Sequence, residues 1–296
     1  MELIIAETAG FCMGVDLALN KLDSAVANPP QGGTIHTLGP IIHNPQVLER
    51  YQRHGVAQTD GQSPLNASDV VVIRAHGIPR QTQEKLERQG VTLIDATCPK
   101  VKKAQILIQR QADQDKHLLL FGERDHPEVQ GLISYAPRHT VFESLEELQG
   151  HRLGRETTYF LAAQTTQDRE AFNAIRNYLK ASVDENMTIL DTICTATKDR
   201  QDEVRNLSRQ VQAMVVVGGK NSGNTRRLAQ IAKEAGIYAT HVETADELPL
   251  QELAEFERIG LTAGASTPGW IIAEVAGALQ DRLGTKEHQV SWPRGR

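Results

Sequence analysis

Cysteine is scarce in this 296-residue sequence, which contains only Cys12, Cys98 and Cys194. An odd number of cysteines argues against a closed set of disulfides, and so against a disulfide-rich scaffold. The sequence also lacks a CxxC pair, the close ligand spacing that structural zinc sites usually have. The three cysteines must therefore be interpreted from their positions along the chain.

Long hydrophobic runs and an excess of positive charge are also missing. No apolar run approaches the roughly 18 residues that a membrane-spanning helix needs. The N-terminal residues lack the cationic segment and the long apolar segment of a secretory signal peptide. The net charge of −5 provides no basic field for nucleic acid. We therefore expect a cytoplasmic protein that binds neither membranes nor nucleic acid and whose thiols stay reduced.

The three cysteines that are present share one kind of setting. Each follows a short apolar run and precedes a stretch with helical periodicity, and they are 86 and 96 residues apart. The phrases LIDATC and ILDTIC, which end at Cys98 and Cys194, are nearly the same. This spacing predicts three similar α/β units that each deliver one thiol from the end of a strand. Three converging thiolates suit a metal ion or an iron–sulfur cluster, whereas three inert buried thiols are the alternative.

Short apolar runs alternate with amphipathic stretches along the whole chain. This alternation predicts an α/β protein whose mainly parallel sheets are covered by helices. We place the boundaries at the cysteines, with an N-terminal strand and first cysteine at 1–13, units at 14–97, 98–193 and 194–280, and a C-terminal tail at 281–296. The predicted strands lie at 3–5, 34–38, 70–73, 91–94, 117–121, 159–162, 189–190, 214–217 and 258–262.

Polar residues follow nearly every predicted strand. Ligands bind beyond the carboxyl ends of strands in open α/β sheets, so these residues are the candidates for a site. Taken singly, each has an ordinary alternative as a surface histidine or as a helix cap, and the loop 218–225 matches neither Walker A nor GxGxxG. Together they favour one common site. The candidates are His43, His76, His126, Glu128, Thr165, Ser222, Asn224 and Ser266.

Histidines, hydroxyls, an amide and a helix N-terminus are groups that bind a diphosphate. A [4Fe–4S] cluster with only three thiolate ligands leaves one iron open to a substrate oxygen. Glu128 is a carboxylic acid that can transfer protons. The combination describes reductive removal of a hydroxyl group from a small diphosphate ester.

These residues lie in motifs through which the chain resembles the 4-hydroxy-3-methylbut-2-enyl diphosphate reductase family, enzymes of the methylerythritol phosphate route to isoprenoids. The resemblance extends over about residues 2–280. The motifs are GFCMGV at 10–15, IHN at 42–44, AHG at 75–77, DATCP at 95–99, HPEV at 126–129, QTT at 164–166, ICTAT at 193–197, NSGNT at 221–225 and AGAS at 263–266.

The resemblance implies a pseudo-threefold trefoil of the three α/β units around a central [4Fe–4S] cluster, which Cys12, Cys98 and Cys194 would hold. It implies conversion of (E)-4-hydroxy-3-methylbut-2-enyl diphosphate to isopentenyl and dimethylallyl diphosphate with two electrons and two protons. The implied catalytic residues are Glu128, Thr165 and His126. The implied substrate-binding residues are His43, His76, His126, Thr165, Ser222, Gly223, Asn224 and Ser266.

Gly223 is a departure from the pattern, because many relatives have a second serine there. The hydroxyl contact is lost at this position, although the backbone N–H of Gly223 is still a donor. The resemblance also implies an electron donor such as a ferredoxin or a flavodoxin, and we expect a monomer.

Two alternatives from other classes stay open at this point. One is a hydrolase or transferase whose zinc ion is held by the three cysteines and a histidine. The other is a redox or cluster-sensing regulator that binds a phosphorylated metabolite and needs no proton donor. Metal analysis separates the first from the reductase, and turnover with a reduced electron donor separates the second.

Overall fold

The structure is a computed structural model that describes residues 1–154, 156–284 and 286–288. The predicted tail at 281–296 is therefore described only in part, and its residues 285 and 289–296 lie outside the described residues. None of the described helices has both the length and the apolar character needed to cross a lipid bilayer.

Helices and strands alternate along the chain as the sequence predicts. The strands are β1 (Glu2–Ile5), β2 (Ile35–Leu38), β3 (Ala57–Thr59), β4 (Val70–Ile73), β5 (Thr92–Asp95), β6 (His117–Phe121), β7 (His139–Phe142), β8 (Tyr159–Ala163), β9 (Thr188–Ile189), β10 (Ala213–Val217), β11 (Tyr238–Val242), β12 (Arg258–Ala263) and β13 (Lys286–His288).

A helix follows most of the strands. The helices are α1 (Met13–Ala27), α2 (Pro45–Arg53), α3 (Arg80–Arg88), α4 (Pro99–Ala112), α5 (Pro127–Ile133), α6 (Leu145–Gly150), α7 (Arg169–Ser182), α8 (Thr195–Leu207), α9 (Gly223–Glu234), α10 (Leu250–Leu253) and α11 (Gly269–Leu283), with a 3₁₀ turn at Ala245–Glu247.

The described strands form three sheets, and every described pairing is parallel. The first sheet has the order β3-β2-β4-β5 and the second has the order β7-β6-β8-β9. The third has the order β11-β10-β12-β1-β13, so the N-terminal strand takes the place that β5 and β9 take in the other two. The predicted α/β class with three similar parallel-sheet units is confirmed.

The most buried strands were predicted from the sequence, whereas several partly exposed strands were not. The residues of β10, with the sequence AMVVV, are all buried, because helices cover both faces of a parallel sheet. The strands β3, β7 and β11 were not predicted, and neither was β13, which falls in the predicted C-terminal tail. The first three lie at sheet edges, and their sequences AQT, HTVF and YATHV mix polar and apolar residues because one edge or face meets water.

The chain divides into two compact units that are described separately. One unit comprises Met1–Val15, His43–Val47 and the chain from Thr195 onwards, and its core is built on the third sheet. The other comprises Asp16–Ile42 and Leu48–Cys194 and holds the first and second sheets. The boundaries that we placed at the cysteines stay a prediction.

Candidate active site

The three cysteines occupy corresponding places in the three sheets. Each remains a half-buried thiol. Each comes directly before a helix, since α1 begins at Met13, α4 at Pro99 and α8 at Thr195. The strands that precede them, β1, β5 and β9, are the fourth strands of their sheets in the order given above.

A backbone hydrogen bond ties each cysteine to the loop that follows the neighbouring strand. The N–H of Cys12 donates to the carbonyl of Ala265 at 3.2 Å. The N–H of Cys98 donates to Ala75 at 2.9 Å, and that of Cys194 donates to Thr165 at 2.9 Å. Each cysteine is thereby fixed beside a predicted substrate residue. These residues are Ser266, His76 and Thr165.

The aspartate three residues before Cys98 anchors its loop. The carboxylate of Asp95 accepts from the N–H of Thr97 at 3.0 Å and from Lys102 Nζ at 3.0 Å. Burial raises the pKa of Asp95, but the hydrogen bonds from Thr97 and Lys102 outweigh it and hold that pKa below its usual value. The carbonyl of Asp95 also accepts from Lys21 Nζ at 2.5 Å.

The loop before Cys194 is anchored in a similar way. Both carboxylate oxygens of Asp191 lie 2.7 Å from Arg169 Nη1. Thr192 Oγ1 donates to the carbonyl of Ala163 at 2.6 Å and accepts from its N–H at 2.8 Å. The repeated Asp-x-x-Cys phrase is therefore a structural repeat in which an aspartate binds a cationic side chain.

Glu128 is the one carboxyl among the predicted site residues, and only 2% of its surface is exposed. It lies in the first turn of α5, where Pro127 fixes the first helical position. Its Oε1 accepts from the N–H of Thr165 at 2.6 Å, and its Oε2 accepts from Thr165 Oγ1 at 2.9 Å. Two of the three predicted catalytic residues are therefore directly bonded.

Burial raises the pKa of Glu128 to about 7, since an apolar surrounding disfavours the charged form. The two hydrogen bonds from Thr165 act in the opposite direction and are the weaker influence. The carboxyl group consequently exchanges a proton near neutral pH, which is the property that a general acid needs.

His126 is the N-cap of α5. Its Nδ1 accepts from the N–H of Glu128 at 3.1 Å, which places the proton of the neutral ring on Nε2. The sequence left open whether Glu128 is itself the helix cap, and the structure gives that role to His126. The His76 ring lies edge-on to His126, with 5.4 Å between ring centroids.

Two residues that the sequence did not assign support this half of the site. Arg74, two residues before His76, has a pKa lowered to about 10 by burial and so keeps its charge at neutral pH. The buried Gln164 accepts from the N–H of Glu123 at 3.0 Å and donates to Thr166 Oγ1 at 3.1 Å. Gln164 thereby joins the loop that leads to Glu128 with the loop of Thr165.

In the unit of the third sheet, three predicted residues lie together. Ser266 Oγ donates to the carbonyl of His43 at 3.3 Å and lies 3.5 Å from Ser222 Oγ. Ser222 caps α9 by accepting from the N–H of Thr225 at 3.3 Å. A side chain at Gly219 would collide with the His43 carbonyl, so glycine permits this close approach.

Asn224 gives the clearest sign that this half binds a ligand. Its side chain is 4% exposed, and both its Oδ1 and its Nδ2 are buried without a partner among the described residues. An unpaired buried amide is costly unless a ligand satisfies it. It stands in the first turn of α9, where the N–H groups, including that of Gly223, attract an anion.

Arg200 and Glu203 of α8 are also residues that the sequence analysis missed. The side chain of Arg200 is buried and donates to the carbonyl of Gly10, and Glu203 accepts from Thr8. The sequence does indicate that Arg200 is buried, because it stands four residues before Val204 on the apolar face of its helix, but the pattern does not indicate which residue it contacts.

The chain is similar to known proteins over nearly its whole length. The family model described as LytB protein matches residues 3–280. The chain belongs to the LytB family. A LytB-family relative from Oleidesulfovibrio alaskensis is 54% identical over 281 residues, which are 95% of this chain and 99% of that protein. A relative from Aquifex aeolicus is 40% identical, covering 95% of this chain and 96% of that protein. Both are named 4-hydroxy-3-methylbut-2-enyl diphosphate reductase.

Solved structures agree with this assignment. A structure of (E)-4-hydroxy-3-methyl-but-2-enyl diphosphate reductase, the terminal enzyme of the non-mevalonate pathway, is 39% identical with a TM-score of 0.68. It is matched over 95% of this chain and 100% of that chain. The reductase from Plasmodium falciparum is 24% identical with a TM-score of 0.89, over 100% of this chain and 95% of that chain, and shows the same fold. The predicted family is confirmed.

Proposed function

We propose that this chain reduces (E)-4-hydroxy-3-methylbut-2-enyl diphosphate to isopentenyl and dimethylallyl diphosphate. The names of its relatives support this reaction. The observation in the chain itself that carries the proposal is the buried pair of Glu128 and Thr165. The carbonyl of Thr165 accepts a hydrogen bond from the N–H of Cys194. Thr165 therefore connects the proton donor Glu128 to a predicted cluster ligand.

A [4Fe–4S] cluster held by Cys12, Cys98 and Cys194 is part of the proposal. The donor set fits, because thiolates are the usual protein ligands of such clusters and each cysteine is fixed at a strand end beside a loop of the site. When bound, the cluster supplies electrons and one iron without a protein ligand, which is a Lewis acid for the substrate oxygen.

In this proposal the diphosphate group is bound by the residues that the family resemblance implies. Nε2–H of His126 and the ring of His76, whose centroids lie 5.4 Å apart, are two of the donors. The further donors are Ser222, Asn224, Ser266, the N–H of Gly223 and the ring of His43. The unpaired amide of Asn224 supports this assignment, since a phosphate oxygen would satisfy its Nδ2.

Glu128 is the proton donor in this proposal, because the reaction consumes protons. The reaction consumes two electrons and two protons, one proton leaving in water and the other entering the hydrocarbon product. Glu128 delivers a proton, and the Thr165 hydroxyl, bonded to its Oε2, relays that proton towards the substrate hydroxyl. After the transfer, the N–H and O–H of Thr165 stabilise the carboxylate.

Anaerobic turnover tests the proposed function. Protein purified without oxygen is assayed with a chemically reduced dye, and the two diphosphate products are separated and quantified. We expect iron and sulfide in the protein and both products in the assay. Zinc without iron would favour the hydrolase or transferase alternative, and a cluster without turnover would favour the sensor.

The proposal also includes the electron donor, the oligomeric state and the location of the protein. A small carrier such as a ferredoxin or a flavodoxin provides the electrons, and the enzyme acts as a monomer in the cytoplasm. Sedimentation of the native protein tests the monomer, and turnover with purified carriers tests the electron donor.

A further inference from the structure

The loop before Cys12 differs from the loops before the other two cysteines. Asp95 and Asp191 stand three residues before Cys98 and Cys194, and each binds a cationic side chain. The corresponding residue before Cys12 is Ala9, which has no group to anchor the loop. Whatever fixes this loop must therefore come from another part of the chain.

Helix α8 supplies that anchor from about 190 residues away in the sequence. Arg200 Nη2 donates to the carbonyl of Gly10 at 2.7 Å. Glu203 Oε1 accepts from the N–H of Glu7 at 2.6 Å, and its Oε2 accepts from the N–H of Thr8 at 2.9 Å and from the Thr8 hydroxyl. Helix α8 thus binds both a backbone carbonyl and backbone N–H groups of the segment that leads to Cys12.

The helix that carries Arg200 and Glu203 is packed into the core of its unit. Val204 and Leu207 of α8 are buried in the core of the third sheet. Arg200 is 5% exposed, and its Nη1 donates to the carbonyl of Ala196 within the same helix at 2.9 Å. Burying a guanidinium group is expensive, and hydrogen bonds to two carbonyls offset that cost at this position.

We propose that Arg200 and Glu203 are positioning residues that fix the thiol of Cys12 and so replace the aspartate that the other two loops carry. Gly10, which accepts from Arg200, has a φ of +107° and stands two residues before Cys12. Loss of the Arg200 contact frees this turn, which only glycine adopts readily, and the thiol then leaves its place. The relevance to cluster binding rests on the proposed function, whereas the anchoring of Cys12 does not.

The thiols of the metal-free protein test the anchoring directly. Iodoacetamide is added to the full chain, and the modification rate of each cysteine is followed by peptide mass spectrometry. We expect Arg200→Gln to raise the rate at Cys12 about tenfold or more, the scale of losing one charged hydrogen bond. The rates at Cys98 and Cys194 should stay at their parent values, so they are internal controls.

Matched variants separate this role from a general loss of stability. Asp202→Asn makes a similar change to a carboxylate of α8 whose partner is Arg205, and it should leave Cys12 unchanged. Asp95→Asn should raise the rate at Cys98 alone. Glu203→Gln gives an independent test should Arg200→Gln not fold, and Arg200→Lys should restore part of the protection because it keeps a cationic donor.

The cluster provides a second readout. Release of iron to a chelator should be faster in Arg200→Gln than in the parent, with the Asp202→Asn protein behaving as the parent. Equal acceleration at all three cysteines, or parent-like rates at Cys12 in both Arg200→Gln and Glu203→Gln, would overturn the proposal. A parent protein that binds no cluster would overturn the proposed function alone, because the thiol rates of the metal-free protein would still decide the anchoring.

Discussion

The first and second sheets have the same strand order and the same cysteine position, but they differ in the side chains that follow their strands. Both have the same strand order and a cysteine after the fourth strand, and in both that cysteine donates to the loop after the third strand. The loop after β4 carries His76, whereas the loop after β8 carries Thr165. Thr165 is hydrogen-bonded to Glu128, which lies in the first turn of α5, the helix that follows β6. The common strand order fixes the position of each thiol, whereas the residue after the neighbouring strand, His76 or Thr165, determines what chemistry each sheet can contribute.

The comparison also shows why a carboxyl group can be a proton donor in one sheet only. Asp95, at the end of β5, is half-exposed and bonded to Lys102, so its pKa stays below the usual value. Glu128 is buried and has no cationic partner among the described residues, and burial raises its pKa to about 7. Two carboxyl groups in one unit therefore have opposite protonation states at pH 6.

The largest expected effect comes from removing the feature that the sheets share. Cys98→Ser should purify pale and poor in iron under anaerobic conditions, because each proposed cluster ligand follows a strand of a different sheet and metal binding of this kind is coupled to folding. Iron and sulfide analysis with the absorption spectrum is the measurement. A variant with full cluster absorbance and full activity would remove Cys98 from the ligand set.

The next effect concerns the group that distinguishes the second sheet. Glu128→Gln keeps the shape and hydrogen bonding of the side chain but has no acidic proton, so kcat should fall by about 10²-fold or more. The cluster spectrum and its response to substrate should be unchanged. Glu146→Gln, at an exposed position of the same unit, is the matched control and should turn over as the parent does. Near-parent turnover of Glu128→Gln would move the proton donor elsewhere.

A smaller loss is expected at the corresponding edge of the first sheet. His76→Asn removes a ring that we propose donates to the diphosphate, and kcat/KM should fall by about ten- to a hundredfold. Steady-state kinetics with a chemical reductant measure this loss, and the cluster spectrum should match the parent. Unaltered kinetics would make His76 a structural residue and weaken the contrast between the two sheets.

The smallest effect is on stability. Because the pKa of Glu128 is about 7 when folded and near 4.5 when unfolded, the folded state binds the proton more tightly. The unfolding free energy should therefore fall as the pH rises from 4.5 to 7, by up to about 3 kcal/mol. Denaturant unfolding of the metal-free parent and of Glu128→Gln at pH 5 and pH 8 measures it. A difference between the two proteins that is independent of pH would contradict the raised pKa.

Much of this arrangement was predictable from local sequence. The buried strands, the cysteines at their ends and the polar loops all have signatures within a few residues, as β10 and the Asp-x-x-Cys repeat show. The edge strands β3, β7 and β11 were missed because their half-polar sequences resemble loops. The anchoring of Cys12 by Arg200 and Glu203 was missed because it joins residues about 190 positions apart, and no local pattern encodes such a contact.

The pairing of β1 with β12 and β13 has a consequence for how the protein is made. Glu2 pairs with Arg258 and with Lys286, so β1 is synthesised more than 250 residues before either of these partners. Sequence-distant pairing of this kind is slow, because a very long loop must close before any contact forms. The first and second sheets need no strand beyond β9, whereas the segment of Cys12 gains its sheet only after β12 has been synthesised. The proposed cluster site is therefore complete only after β12 has formed, and a nascent chain halted before β12 should retain no cluster.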